Sequence, residues 1–122
     1  MTFSLGQKSL DKLQGVDQRL VDVVKRAIEL TDTDFTVGEG LRTKERQQKL
    51  FDEGKSQTLN SKHITGRAVD LWCLKDGKIT WDKKEYDHLS KFVKAAAEEL
   101  KVPIRWGGDF KSFYDGPHYE LI

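Results

Sequence analysis

Residues 61–73 read SKHITGRAVDLWC, a polar turn that leads into a mainly apolar strand. Side chains alternate between the two faces of a strand, so the apolar face of this segment carries Val69, Leu71 and Cys73. Asp70 then lies on the opposite face, away from the main core. The stretch predicts a sheet with one face packed on a core that includes Cys73 and the other face free to carry a site.

The segments on either side predict an α+β fold, a small and mostly antiparallel sheet with helices packed on it. Further strands are predicted from alternating or bounded apolar runs at residues 35–41, 78–81, 104–106 and 118–121. The pair Asp76-Gly77 predicts a hairpin turn between two of these strands. Arg42 directly follows the predicted strand over 35–41 and so lies at the end of that strand.

Helical spacing of apolar residues predicts the helices. One helix starts after Asp17, with an inner face made of Leu20, Val23, Val24, Ala27 and Ile28. A shorter helix before it turns Leu10 and Leu13 inward. Thr43 is the predicted N-cap of a third helix that ends at Gly54. The inner face of a last helix comprises Leu89, Phe92, Val93, Ala96, Ala97 and Leu100.

Composition limits the classes of protein that the chain can represent. It has 122 residues, 37% hydrophobic and 34% charged, with a formal net charge of +1, and we expect residues 1–122 to form a single domain. The even balance of charge argues against nucleic acid as a partner. No stretch predicts membrane insertion or a signal peptide, so we expect synthesis in the cytoplasm. With one cysteine, stability must come from packing, hydrogen bonds or a metal.

Two histidines lie beside carboxylates and turns, and this predicts a metal site. His63, Asp70 and His118 could supply two imidazoles and one carboxylate, a set that suits zinc and leaves a position open for water. Asp115, held by a Gly-Pro turn near His118, is the leading candidate for a general base. From the residues alone, His63 could equally be a polar loop residue, Asp70 a partner of Arg67, and His118 an ordinary strand residue.

The same residues resemble the zinc-dependent peptidase family (peptidase M15) that includes VanY-type D-alanyl-D-alanine carboxypeptidases and phage L-alanyl-D-glutamate endopeptidases. The family pattern S-x-H-x-x-G-x-A-x-D is matched by Ser61, His63, Gly66, Ala68 and Asp70, and its D-x-x-H element by Asp115 and His118. Resemblance to the short phage branch extends over FTVGEGLRT, ERQQKLFDEGKS, SKHITGRAVDLW and IRWGGDFKSFYDGPHYEL. It implies Zn²⁺ on His63, Asp70 and His118, with Asp115 as the catalytic base.

Three further residues have expected roles near the implied zinc site. Arg42 matches the family arginine near substrate, where it would orient a peptide carboxylate or stabilise an oxyanion, or else form a surface salt bridge. Ser61 would lie at the substrate edge or support a ligand, or else cap the backbone. Glu120 shares a strand face with His118 and would steady that ligand or replace Asp115 as base. Aromatic residues that could line the cleft or belong to the core are Trp72, Trp106, Phe110, Phe113 and Tyr114.

The resemblance implies a zinc metallopeptidase that hydrolyses the L-Ala to D-Glu bond of peptidoglycan stem peptides. It suggests a phage or prophage endolysin, expected to be monomeric, that accumulates in the host cytoplasm and reaches the wall of a Gram-negative host, in the periplasm, after a holin opens the inner membrane. Two alternatives stay open: a D-alanyl-D-alanine carboxypeptidase or dipeptidase, and a catalytically inactive, zinc-stabilised wall-binding module.

Overall fold

The computed structural model describes residues 3–56, 58–59, 61–111 and 113–122. Within these ranges the helices are α1 (Gln7–Lys12), α2 (Gln18–Leu30), α3 (Lys44–Asp52) and α4 (Lys83–Leu100). The strands are β1 (Phe35–Glu39), β2 (Ala68–Lys75), β3 (Lys78–Ile79), β4 (Ile104–Trp106) and β5 (His118–Leu121). The predicted α+β class is confirmed. None of the helices in the described ranges is both long and apolar enough to span a bilayer.

The strands form an antiparallel sheet with β2 near its centre. The order is β1-β2-β5-β4, and β3 pairs with the far end of β2. Asp76 and Gly77 both have positive φ, 53° and 77°, as a tight two-residue hairpin requires, so the predicted turn is confirmed. Asp70 of β2 lies opposite Glu39 on β1 and opposite His118 on β5. This register sets three polar side chains side by side on the sheet.

The apolar face of β2 packs into the core with α2 and α4. Val69, Leu71 and Cys73 are at most 2% exposed, in one cluster with the predicted inner residues of α2. Each buried aliphatic side chain contributes about 1.5–3 kcal/mol relative to an exposed one. The prediction that Cys73 is a core residue is confirmed. Helices α2 and α4 therefore cover one face of the sheet, and the face that carries Asp70 is left for a site.

Two leucines predicted to face inward, Leu10 and Leu100, are exposed, and so is Leu41 at the end of the predicted strand over 35–41. Leu10 is 38% exposed because α1 turns Ser9 toward the sheet, where its hydroxyl oxygen accepts a hydrogen bond from the Val37 amide (2.9 Å). Leu41 is 52% exposed because β1 ends at Glu39, after a register shift that moves the chain out of the strand. Leu100 is 40% exposed in the last turn of α4, which extends past the core.

Helix α3 begins and ends as predicted. The Thr43 hydroxyl oxygen accepts a hydrogen bond from the Arg46 amide (3.1 Å), and Gly54 has a φ of 74°, the left-handed conformation that ends many helices. The buried residues of α3 are Gln47 and Leu50. A buried glutamine needs hydrogen-bond partners, and these lie in the site described below.

Candidate metal centre and active site

Three side chains from separate segments converge on the open face of the sheet. His63 belongs to a short 3-10 helix, Lys62–Thr65, while Asp70 and His118 are register partners on β2 and β5. One ligand atom from each of the three lies within 4.8 Å of the others. Both histidines are buried, and the Asp70 side chain is 19% exposed. This cluster is the candidate metal centre.

The turn that carries His63 is held against the connection between α1 and α2. Gly66 ends the turn with a φ of 71°, and a Cβ at this position would overlap the carbonyl oxygen of Gly15. The Gly66 carbonyl oxygen accepts a hydrogen bond from the Asp17 amide (2.7 Å). Only glycine fits both the backbone angle and the close approach, so Gly66 fixes the position of His63.

Each imidazole has an outer partner and presents its other nitrogen to the centre. His63 Nδ1 lies 2.9 Å from the carbonyl oxygen of Gly40, which only accepts, so this nitrogen carries a proton and Nε2 faces Asp70 at 3.2 Å. His118 Nε2 lies 2.7 Å from Glu120 Oε1, and its Nδ1 faces Asp70 at 3.3 Å. Metal-ligating histidines are usually oriented in this way, by an acceptor on the nitrogen that does not bind metal.

The carboxylate at the centre is stabilised in its ionised form. Burial alone would raise the pKa of Asp70, but hydrogen bonds from His118 and His63 outweigh burial and hold that pKa well below its usual range. Burial would also lower the pKa of His118, but hydrogen bonds to Asp70 and Glu120 raise it to about 9. Two imidazoles and one ionised carboxylate are a donor set that fits a divalent metal ion.

Metal affinity is expected to rise as the pH increases from about 7 to 9, because the proton on His118 Nδ1 competes with a cation. With a pKa of about 9, His118 keeps this proton at neutral pH. Each pH unit below that value should therefore lower the affinity about tenfold. Competition with a chelator of known affinity at several pH values measures this dependence. An affinity independent of pH over this range would contradict it.

Asp115 is held close to the centre by backbone contacts. Its amide donates to the Gly107 carbonyl oxygen (3.0 Å), and its own carbonyl oxygen accepts from the His118 amide (3.1 Å). A Cβ at Gly107 would overlap the Asp115 carbonyl oxygen, so this approach also requires glycine. Burial, and then the nearby charge of Asp70, raises the pKa of Asp115. A carboxyl group with a raised pKa beside a metal site is suited to proton transfer.

Arg42 is buried at the edge of the same site, so a surface salt bridge is the wrong description of it. Its Nε and one Nη donate to the two carboxylate oxygens of Glu39, both at 2.8 Å, and its other Nη donates to Gln47 Oε1 at 2.7 Å. A guanidinium has five N–H groups, so two remain beyond these three bonds. Arg42 also lies 3.8 Å from Asp70 Oδ2. Its fixed charge therefore acts on the carboxylate at the centre.

Ser61 caps the turn that contains His63. Its hydroxyl oxygen accepts a hydrogen bond from the His63 amide (3.2 Å), and the side chain also lines the central cavity. The capping contact is the alternative that the sequence left open for this residue. Contact with a substrate stays a prediction.

A cavity of about 930 Å³ opens over the centre. The cluster, Asp115, Arg42 and Glu120 all line it, together with the predicted aromatic residues Trp72, Phe110, Phe113 and Tyr114. Trp106 instead belongs to the core, where its Nε1 donates to the Gly116 carbonyl oxygen (2.7 Å). The space is of the size that binds a small ligand or a short peptide.

Several residues of the site were not predicted from the sequence. Glu39 and Gln47 hold Arg42, Trp81 lines the cavity, and Lys62 Nζ lies 3.1 Å from Glu120 Oε2. A buried arginine requires a nearby acid, so Glu39, three positions before Arg42, was the one partner with a sequence signal. Lys62 and Trp81 lie at turn and loop positions that periodicity does not specify, and Gln47 is a polar residue of α3 whose burial periodicity does not predict.

Comparisons with known proteins agree with this geometry. The model of the phage L-alanyl-D-glutamate peptidase family matches residues 1–122. The L-alanyl-D-glutamate peptidase of Escherichia phage T5 is 34% identical over 137 aligned positions, which cover all of both chains. The crystal structure of Serratia marcescens L-Ala D-Glu endopeptidase ChiX superposes with a TM-score of 0.92 at 37% identity, covering 100% of this chain and 90% of that one.

A more distant structure shares the fold alone. The vancomycin resistance D,D-dipeptidase VanXYg, solved with a D-Ala-D-Ala phosphinate analogue, has a TM-score of 0.56 at 16% identity, covering 87% of this chain and half of that one. The resemblance stated from the motifs is thus confirmed by matches along the whole sequence. The chain belongs to the family of phage L-alanyl-D-glutamate peptidases.

Proposed function

We propose that the chain is a zinc-dependent endopeptidase that hydrolyses the L-Ala to D-Glu amide bond of peptidoglycan stem peptides. The observation that carries this proposal is the convergence of His63, Asp70 and His118 beside Asp115 in one cavity. Family membership supports the choice of bond, since the relatives that match along their whole length are named for it.

In this proposal His63, Asp70 and His118 would hold a zinc ion, and that ion would supply Lewis acidity when bound. Asp115 is the catalytic base. Its carboxylate takes a proton from the attacking water and returns it to the amine of D-Glu as the amide C–N bond breaks. A pKa raised by burial makes that carboxylate a stronger proton acceptor than an exposed one.

Arg42 and Ser61 are proposed to meet the substrate at the cavity wall. The two N–H groups of Arg42 that remain beyond its bonds to Glu39 and Gln47 would donate to a substrate carboxylate or to the oxygen that gains negative charge. Because Glu39 holds the guanidinium at two points, its orientation is fixed before substrate arrives. Such preorganisation lowers the reorganisation needed in the transition state.

Glu120 is proposed as a positioning residue for His118, and its removal should weaken metal binding. Glu120→Ala removes the acceptor on His118 Nε2 and is expected to lower metal affinity about 10–100-fold. Glu120→Gln keeps an oxygen acceptor and should recover part of the loss. Competition against a chromogenic chelator measures both, with Glu98→Gln on the exposed side of α4 as the control. Equal affinities for wild type and Glu120→Ala would disprove the role.

Mass spectrometry of digested peptidoglycan tests the proposed function. Purified protein is incubated with peptidoglycan, then with a chelator, then with added zinc. We expect fragments with a new N-terminal D-Glu. These fragments should be absent when the chelator is present and should return when zinc is added. Release of terminal D-Ala with the L-Ala to D-Glu bond intact would instead identify a carboxypeptidase. Binding to peptidoglycan without any cleavage would identify a wall-binding module.

We further propose that residues 1–122 act as one catalytic domain and as a monomer. A single continuous core cluster, which joins α2, α4 and the sheet, supports the first part. Membership of a phage peptidase family supports a role in host lysis. In that role the protein is made in the host cytoplasm and acts on the cell wall in the periplasm after a holin opens the inner membrane.

A further inference from the structure

Trp81 is a large aromatic residue that is held in place and yet open to solvent. It is 65% exposed and lines the cavity beside Trp72. Its ring stacks on Tyr86, with centroids 6.1 Å apart and planes 7° apart, and meets Trp72 edge-on at 5.8 Å. The Tyr86 hydroxyl donates to the Thr80 carbonyl oxygen (2.8 Å) and accepts from the Cys73 amide (3.2 Å). Tyr86 thus holds one face of an indole whose remaining surface is open to a ligand.

Contact with Trp72 of β2 places Trp81 at one side of the cavity. Trp72 follows Asp70 by two residues on the same face, about 7 Å along the strand, and the centroid of the Trp81 ring lies 5.8 Å from that of the Trp72 ring. In the opposite direction along β2 from Asp70, Ala68 pairs with Glu120 of β5, and the Glu120 carboxylate forms an ion pair with Lys62. Along β2, the Trp72–Trp81 pair therefore lies on one side of the metal centre and the Lys62–Glu120 pair on the other.

The stem peptide has a matching asymmetry between its two ends. Its use here rests on the proposed function, which takes the stem peptide as the substrate. The nitrogen of L-Ala is joined to the sugar ring of N-acetylmuramic acid through the lactyl group of that sugar. The residues after the scissile bond, in contrast, carry ionised carboxylates. One residue spans about 3.5 Å, so with the lactyl group the sugar ring lies on the order of 10 Å from the bond that is cut. That distance exceeds the roughly 7 Å step from Asp70 to Trp72 along β2, so a sugar ring bound beside Trp72 and Trp81 is within reach of the bond that is cut.

We propose that Trp81, supported by Trp72, forms a subsite for the N-acetylmuramyl ring of the substrate. The apolar C–H face of a pyranose packs on an indole, whose N–H remains available for a polar group of the sugar. The stem peptide then runs along β2 with its N-terminal end at Trp81 and its acidic end toward Lys62. The enzyme thereby distinguishes wall-bound stems from free peptides.

The test compares two substrates that differ only in the sugar: N-acetylmuramyl-L-Ala-D-Glu-diaminopimelate and N-acetyl-L-Ala-D-Glu-diaminopimelate. Wild type is expected to have a higher kcat/KM for the muramyl substrate. Trp81→Ala should lower the ratio of the two kcat/KM values about tenfold, mainly through KM. Trp81→Phe should retain part of the preference. Phe51→Ala removes an exposed aromatic residue of α3 outside the cavity lining and is the matched control.

Each outcome separates the subsite from the proposed function. Cleavage of neither substrate by wild type would overturn the function itself. Equal kcat/KM values for both substrates in wild type, or a ratio in Trp81→Ala equal to that of wild type, would overturn the subsite and leave the function standing. A loss in Trp81→Ala that is equal for both substrates would also overturn it. Trp81→Leu, which keeps an apolar side chain next to the hairpin, replaces Trp81→Ala if the latter does not fold.

Discussion

Asp115→Asn is expected to lower kcat for hydrolysis of the L-Ala to D-Glu bond by about 10²–10⁴-fold, the usual contribution of a general base. Asparagine has nearly the same shape, so the backbone contacts to Gly107 and His118 should persist. What it lacks is a carboxylate that can take a proton from water and return it to the leaving amine. The bound metal, measured by elemental analysis, should stay at the wild-type level.

Asp109→Asn is the control, because Asp109 lies in the same loop and pairs with Lys94 at the exposed surface (2.8 Å). It should retain wild-type activity. If Asp115→Asn keeps more than about a tenth of the wild-type kcat, a contribution below the usual range for a base, the base lies elsewhere. Glu120, which shares the cavity, is then the residue to replace.

The pH profile provides an independent check on the same residue. Burial, and then the charge of Asp70, raises the pKa of Asp115 above that of an ordinary aspartate. The base works only when ionised, so activity should fall as the pH drops through that raised pKa. The acid limb of the kcat/KM profile should therefore lie above the range of an ordinary aspartate and should change in Asp115→Asn.

Alternation along β2 was enough to predict which face of the sheet carries the site. Asp70 lies among apolar residues, and a strand with one buried face leaves its other face for polar chemistry. The sequence did not specify the register. Asp70 lies opposite His118 on β5 and opposite Glu39 on β1. These positions depend on pairings between strands that are distant in sequence.

Contacts that depend on loops and irregular backbone were not predictable from periodicity. The register shift after Val37 turns Glu39 toward Arg42 and moves Leu41 out of the strand. The inward turn of Ser9 rather than Leu10 depends on how α1 meets β1, where a polar contact to a strand amide outweighs one leucine. Trp81 follows a strand of only two residues, too short to show a period.

Removing one metal ligand should abolish both metal binding and hydrolysis. His63→Ala deletes a buried nitrogen that Gly40 and the Gly66 turn hold toward Asp70. Two remaining ligands do not complete a catalytic zinc site, which uses three protein ligands. We expect metal content near zero and no detectable cleavage of stem peptide. In wild type, a chelator should have the same effect, reversed by added zinc.

His88→Ala is the matched control for this change, because His88 is a histidine at the surface of α4 that binds Asp32 (2.7 Å) away from the cavity lining. It should keep full metal content and activity. Thermal unfolding gives a second readout: zinc at about 1,000 times its Kd stabilises a folded site by about 4 kcal/mol, so it should raise the Tm of wild type and His88→Ala but not of His63→Ala. Cleavage that survives both chelation and His63→Ala would show that hydrolysis does not use this centre.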